Sequence, residues 1–213
     1  MKIVMLGPPG SGKSTMAYII SELYRIPIIT TGDMLREAVS DKTEFGKIAE
    51  GYMATGDLVP NYIVNCIVRE RMSRPDVRNG FILDGFPRSL AQNDALDQIL
   101  EDLDMELSHV LYVVLSDEVI IQRLSKRRSC HKCGAVYHLE SAPPEKTDVC
   151  NICGAKLIQR DDDKEDVIKH RLEVYRKNTE SLLERYRARD RIVETSGEIP
   201  MKKLKIHLKE LLG

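Results

Sequence analysis

The chain opens on an apolar run, Met1-Lys2-Ile3-Val4-Met5-Leu6, that leads directly into Gly7-Pro8-Pro9-Gly10-Ser11-Gly12-Lys13-Ser14-Thr15. The second segment fits the pattern G-x-x-x-x-G-K-[ST], with Gly7, Gly12, Lys13 and Ser14 in register. Met16, Ile19, Ile20 and Leu23 follow at i, i+3, i+4 and i+7, the spacing of one helix face. Strand, glycine-rich loop and helix in this order constrain the fold more than any other feature of the chain. In such a loop, consecutive backbone N–H groups converge on one anion, and the helix adds its positive N-terminal end. Lys13 reaches the outer phosphates, and the hydroxyl of Ser14 or Thr15 serves a magnesium shell. A plain Gly/Pro turn would require neither flank.

The rest of the chain repeats short apolar strands between helical patterns. Strands are predicted at Ile26–Thr30, Gly80–Asp84, Val110–Leu115 and Arg191–Thr195. Continuously apolar strands of this length suit a parallel sheet covered on both faces. Helical periods run through Leu96, Ile99, Leu100 and Leu103, and through Val119, Ile120 and Leu124. A long polar helix is expected from about Lys164 to Arg189, and a last one after Pro200. The alternation predicts a doubly wound α/β fold with a five-stranded parallel sheet flanked by helices. Ligands then bind outside the carboxyl ends of the strands, where Gly7–Thr15 and Asp84–Arg88 both fall. Asn61–Val68 reads as an apolar helix in which Cys66 is expected to be buried as a small hydrophobe.

Two stretches break the alternation. Thr31–Val59 is a helical excursion, and Ser129–Arg160 has no helical period. With their hinges they define insertions at 30–59 and 127–163 in a core made of 1–29, 60–126 and 164–213. The second contains Cys130-x-x-Cys133 and Cys150-x-x-Cys153, each pair followed by glycine. This spacing is typical of a structural zinc site. A stretch so short cannot bury enough surface to hold itself folded, and four thiolates on one Zn²⁺ supply the missing free energy. A closed four-cysteine shell has no open position, so the metal is structural; His131 and His138 are not needed as ligands.

Composition removes several classes. Hydrophobic residues at 42% and charged residues at 31% indicate a globular chain. A net charge of −1 argues against a protein built to coat nucleic acid. No apolar run is long enough to span a membrane and no secretory leader is apparent, so a cytosolic protein is expected.

Four segments then resemble the adenylate kinase family in order and spacing: Gly7–Thr15, Thr31-Gly32-Asp33-Met34-Leu35-Arg36, Gly56-Asp57-Leu58-Val59 and Asp84-Gly85-Phe86-Pro87-Arg88. The resemblance continues through Gln92, Arg123, Arg127, the cysteine insertion, Arg160-Asp161-Asp162-Asp163 and Arg171, and covers essentially the whole chain. It implies a kinase that moves the γ-phosphoryl of Mg·ATP to AMP, with the cysteine insertion as a zinc-containing lid. Gly10, Ser11, Gly12, Lys13, Ser14 and Thr15 would hold the ATP phosphates. Arg123 and Arg127 would contact ATP from the lid's first hinge, with Val136, Tyr137 and the backbone of Ile199 near the nucleotide. Thr31, Arg36, Arg88 and Gln92, with the backbone of Asp57, Leu58, Val59 and Gly85, would hold AMP. Arg160 and Arg171 would clamp the phosphates in transit, and Asp84 would hold magnesium or its waters. The implied partners are ATP, AMP and ADP, with no nucleic acid or membrane, and a monomer is expected.

The residues alone leave alternatives. Arg123, Arg127 and Arg128 also suit a solvated helix end, where cations offset the dipole. Asp161–Asp163 either cap the following helix or take part in closure of the lid. Many adenylate kinases have glycine where Ser14 stands, so the hydroxyl nearest magnesium is left as Ser14 or Thr15. A UMP, CMP or GMP kinase is the nearest rival, and a P-loop ATPase with a zinc-knuckle binding module is a rival of another class.

Overall fold

The computed structural model describes all residues, 1–213. Its central sheet contains β1 (Lys2–Leu6), β2 (Ile28–Thr30), β3 (Phe81–Asp84), β4 (His109–Val114) and β8 (Ile192–Ser196). Their order is β2-β3-β1-β4-β8, and every pairing is parallel. The five predicted strands are therefore present, with ends displaced by one or two residues.

Alternate residues of β1 serve opposite faces of the sheet. Val4 and Leu6 join a core of 22 buried residues with α4 (Asn61–Met72), α5 (Leu90–Asp102) and α7 (Glu165–Arg187). Ile3 and Met5 join a second core of 12 with α1 (Lys13–Tyr24) and α8 (Met201–Leu212). Full burial of both faces explains why the strands read as unbroken apolar runs.

The insertion after β2 forms α2 (Thr31–Ser40) and α3 (Glu44–Thr55). Thr43 caps α3 by accepting the Gly46 N–H at 3.0 Å. The second insertion follows α6 (Asp117–Ser125). It forms a separate antiparallel sheet of β6 (Val136–His138), β5 (Arg127–Cys130) and β7 (Leu157–Ile158), in that order. Its core is only Cys130, Cys150 and Leu157 with a few half-buried neighbours.

Cys66 is exposed, against the expectation of burial. The buried face of α4 is carried by Ile63, Val64, Val68 and Met72. Two residues from both Val64 and Val68, Cys66 falls on the side opposite them, with the exposed Tyr62 and Arg69.

Candidate nucleotide site

The register of the sheet sets the site. Met5 and Thr30 both stand opposite Asp84, and Leu6 stands opposite Tyr112. The strands thus end together, and the loops after β1, β2 and β3 open into one cleft. Gly12 begins α1 at φ +101°, a left-handed conformation that a side chain would strain. Lys13 Nζ donates to the Gly7 and Pro8 carbonyls at 2.8 and 2.6 Å, which folds the side chain back over its own loop. Burial pushes the Lys13 ammonium down to about 8, despite the opposing pull of Asp84. Ser14 Oγ donates to Asp84 Oδ2 at 2.5 Å, whereas Thr15 makes no such contact. Hard oxygen donors side by side at the mouth of the loop fit a magnesium ion held directly or through water. Of the two hydroxyls left open by the sequence, Ser14 is the one at the acid.

Six cations line the cleft, namely Lys13, Arg36, Arg88, Arg127, Arg160 and Arg171, against the carboxylates of Asp84 and Asp162. Arg88 is pushed down to about 10 by burial and by Arg171. Arg160 is pushed down to about 10 by burial, then by Arg36 and Arg127. The same causes act on Arg171, burial first. Guanidinium groups this crowded favour a multiply charged anion with forked acceptors.

Several of these arginines are held by the hinge at Asp161–Asp163. Asp163 is fully buried and takes Arg127 in a fork, Nε and Nη2 at 2.8 and 2.6 Å. Asp162 pairs with Arg171 at 3.0 Å, and Arg160 Nε donates to Ser129 Oγ at 2.8 Å. None of the three acids caps α7, whose N-terminal flank makes no side-chain cap bond. Asp162 and Asp163 orient arginines instead, and Asp161 pairs with Lys164 at 2.8 Å.

A recess off the cleft lies under the first insertion. Its walls include Thr31, Leu35, Arg36, Met53, Asp57, Leu58, Val59, Val64, Gly85, Arg88 and Gln92. Thr31 Oγ1 donates to the Gly85 carbonyl at 2.8 Å, and Arg88 Nε to the same oxygen at 2.9 Å. The Asp57 carboxylate meets His170 Nε2 at 2.7 Å and Thr55 Oγ1 at 2.7 Å, and these bonds hold it below its ordinary range. The insertion is thereby docked on α7.

Other expected residues stand apart from the cleft wall. Arg123 lies beside the loop, its Nη1 3.9 Å from where a Gly12 Cβ would be. Val136 is exposed on β6, and the Tyr137 hydroxyl is occupied by Cys150 Sγ at 3.4 Å and the Asn151 N–H at 2.9 Å. Ile199 is half buried against the α1–α8 core, while nearby Gly197 abuts the Ser11 carbonyl. Reasoning from sequence missed Asn61, His170, Val174, Tyr175 and Thr179. The Thr179 hydroxyl donates to the Arg88 carbonyl at 2.9 Å. With Arg171, Tyr175 and Thr179 recur at i+4 along α7, the only signal the sequence offered.

In the lid the four cysteine sulfurs lie within 4.8 Å of one another, with Cys130–Cys153 at 3.4 Å and Cys133–Cys150 at 3.5 Å. Tetrahedral thiolates around zinc stand about 3.8 Å apart, so the set fits that ion. Both knuckles fold alike: Gly134 N–H meets the Cys130 carbonyl and Gly154 N–H the Cys150 carbonyl, at 3.0 and 2.9 Å. Tyr137 and backbone N–H groups hold the Cys150 thiol down to about 6, while burial and the neighbouring sulfurs push Cys133 up to about 12, so the thiols titrate as one cluster. His131 Nδ1 faces the Lys156 carbonyl and His138 Nδ1 faces the Glu140 and Ser141 N–H groups, so neither joins the cluster.

A phosphate loop at the head of a parallel sheet, sharing its cleft with a second arginine-lined recess, defines a P-loop nucleotide-binding protein with two insertions. Sequence comparison narrows the class. A profile of the adenylate kinase family matches residues 5–191. An adenylate kinase of Archaeoglobus fulgidus is 50% identical over 92% of this chain and 91% of its own length. One from Caldicellulosiruptor bescii is 48% identical over 93% and 92%. One from Thermosipho melanesiensis is 44% identical over 100% and 98%. The chain belongs to the adenylate kinase family.

Proposed function

We propose that the chain transfers the γ-phosphoryl group of Mg·ATP to AMP, reversibly, giving two ADP. One observation carries the reading: Arg36, Arg88, Arg171, Gly56, Leu58 and Gly85 line both the recess and the phosphate-loop cleft. An acceptor phosphate held in the recess therefore meets the donor phosphates across shared arginines. The relatives' name favours AMP over UMP, CMP or GMP.

The phosphate of AMP is ionised at neutral pH, so its attack needs no general base. Alignment and neutralisation of charge are what remain for the protein to supply. The loop Gly10–Thr15 cradles the β- and γ-phosphates, and Lys13 leaves its carbonyls for them. Arg88 and Arg36 hold the acceptor phosphate, and Arg123, Arg127, Arg160 and Arg171 gather round the group in transit. Thr31, Gln92 and the backbone of Asp57–Val59 and Gly85 hold the acceptor nucleoside; Val136, Tyr137 and Ile199 border the donor. Ser14 and Asp84 would hold magnesium, which supplies neutralisation of phosphate charge when bound. Residues 30–59 and 127–163 act as covers on the core of 1–29, 60–126 and 164–213, and exclude water that would otherwise take the phosphoryl group. Cys130, Cys133, Cys150 and Cys153 would hold a zinc ion that keeps the second cover folded.

No helix is long and apolar enough to cross a membrane. A four-thiol clip suits a reducing compartment, and we place the protein in the cytoplasm as a monomer. The test is stoichiometry: ATP, Mg²⁺ and AMP should give two ADP per AMP consumed, with no ATP loss when AMP is omitted. Turnover without a monophosphate would make the chain an ATPase and overturn the reading.

A further inference from the structure

The acceptor recess has apolar walls at Leu35, Met53, Val59 and Val64, suited to a flat base. Gln92 is the only amide side chain on that wall and is 1% exposed. A primary amide carries two N–H donors and two acceptor lone pairs, and its two ends read opposite base edges. Which end faces which way therefore decides which base fits.

The surrounding bonds fix that direction. The Arg88 backbone N–H, which can only donate, lies 2.8 Å from the Gln92 amide and identifies the contacting atom as Oε1. The other end is then Nε2, a donor, and its partner 3.0 Å away must accept: Asn61 Oδ1. With Asn61 Oδ1 set as an acceptor by Gln92, Ser89 fits the same order: its Oγ accepts the Gln92 backbone N–H at 3.3 Å and donates its hydrogen to Asn61 Oδ1 at 3.2 Å. The Arg88 backbone N–H thus sets the polarity of the whole chain of bonds. Each end of the Gln92 amide retains one unused valence for a ligand.

We infer that Asn61 is a positioning residue that sets base specificity at the acceptor site. It acts through Gln92, pinning Nε2 so that a donor and an acceptor are offered in fixed order. Adenine carries an acceptor at N1 beside a donor at N6 and matches that order. Hypoxanthine, in the same pose, carries N1–H beside O6 and opposes donor with donor. Buried polar groups left mispaired are what give such sites their discrimination. Asn61 is the first residue of α4, where its side chain is held by the helix rather than by a loop.

The inference rests on AMP as acceptor, and the experiment separates the two. Dissociation constants for AMP and for inosine monophosphate are measured on the full-length protein without ATP, together with kcat/KM for each. Wild type should prefer AMP; if it does not, the acceptor reading fails on its own account. Asn61→Leu keeps the bulk and removes the acceptor; the AMP-to-IMP preference should fall about five- to tenfold, the worth of one hydrogen bond. Asn61→Asp keeps an acceptor for both Ser89 and Gln92, and its charge suits a helix N-terminus, so it should retain the preference. KM for Mg·ATP should stay put in both; Asn61→Leu leaves the buried Gln92 Nε2 without its acceptor and should lower the melting temperature, whereas Asn61→Asp should not. A merely structural Asn61 would weaken AMP and IMP alike. Equal loss for both nucleotides, an unchanged ratio in Asn61→Leu, or an Asp variant as indiscriminate as the Leu variant would overturn the inference.

Discussion

Gly197→Ala isolates the backing of the phosphate loop. Gly197 follows β8 and donates its N–H to the Val114 carbonyl at 2.8 Å. It does not have the positive φ that favours glycine, so alanine suits its backbone. What forbids alanine is space: an added Cβ would sit 2.3 Å from the Ser11 carbonyl oxygen. Ordinary contact begins at 3.4 Å. The loop has little room to recede, because Ser11 is fully buried and Gly7 itself abuts the Val113 carbonyl. The cradle must therefore move by about 1 Å, a misplacement that costs on the order of 10²-fold in rate. Overpacking of this kind costs about 1–3 kcal/mol, which lowers melting by roughly 2–10 °C in a chain of this size. Steady-state kinetics with Mg·ATP varied at saturating AMP reads the first quantity and calorimetry the second. The loss should fall on kcat/KM for ATP, with KM for AMP nearly unchanged. A folded variant with wild-type kcat/KM for ATP would refute the argument that Gly197 is required by proximity to Ser11.

Four further outcomes are expected. Lys13 sits at about 8 instead of its ordinary 10.5, so nucleotide-free enzyme should lose kcat/KM for ATP as pH rises past about 8. Between these values the unfolded chain binds the extra proton, so Lys13 adds stability with rising pH; urea midpoints of Lys13→Met should lack that rise. Cys150→Ala should release zinc and give the lid a separate early melting step while the core transition persists; unchanged zinc content and melting would remove the clip. Ser14→Ala should raise the Mg²⁺ requirement about tenfold or more, and Thr15→Ala hardly at all; the reverse would move the metal to Thr15.

What the sequence disclosed was what local spacing encodes. Gly7–Thr15 and the two cysteine pairs are contiguous motifs whose chemistry follows from their own geometry. The strands were legible because a doubly covered sheet leaves few polar positions. Burial on α4 was not, since Ile63, Val64, Cys66, Ile67 and Val68 are apolar almost all round and hide the helical period. The sequence leaves Asp161–Asp163 open between capping α7 and closing the lid, because the partner that decides it for Asp163, Arg127, lies 36 residues away in the chain. The same separation hid Asn61, whose partners Ser89 and Gln92 come from the start of another helix. Fold and motifs are local statements, whereas the orientation of a site is made by contacts that only the packed chain creates.

The central claim is a two-nucleotide site that joins ATP to AMP. It is tested most directly by offering the purified protein AMP, UMP, CMP and GMP in turn at equal Mg·ATP. AMP should be the preferred acceptor, with ADP as the sole product on both sides. A clear preference for any other monophosphate would contradict it.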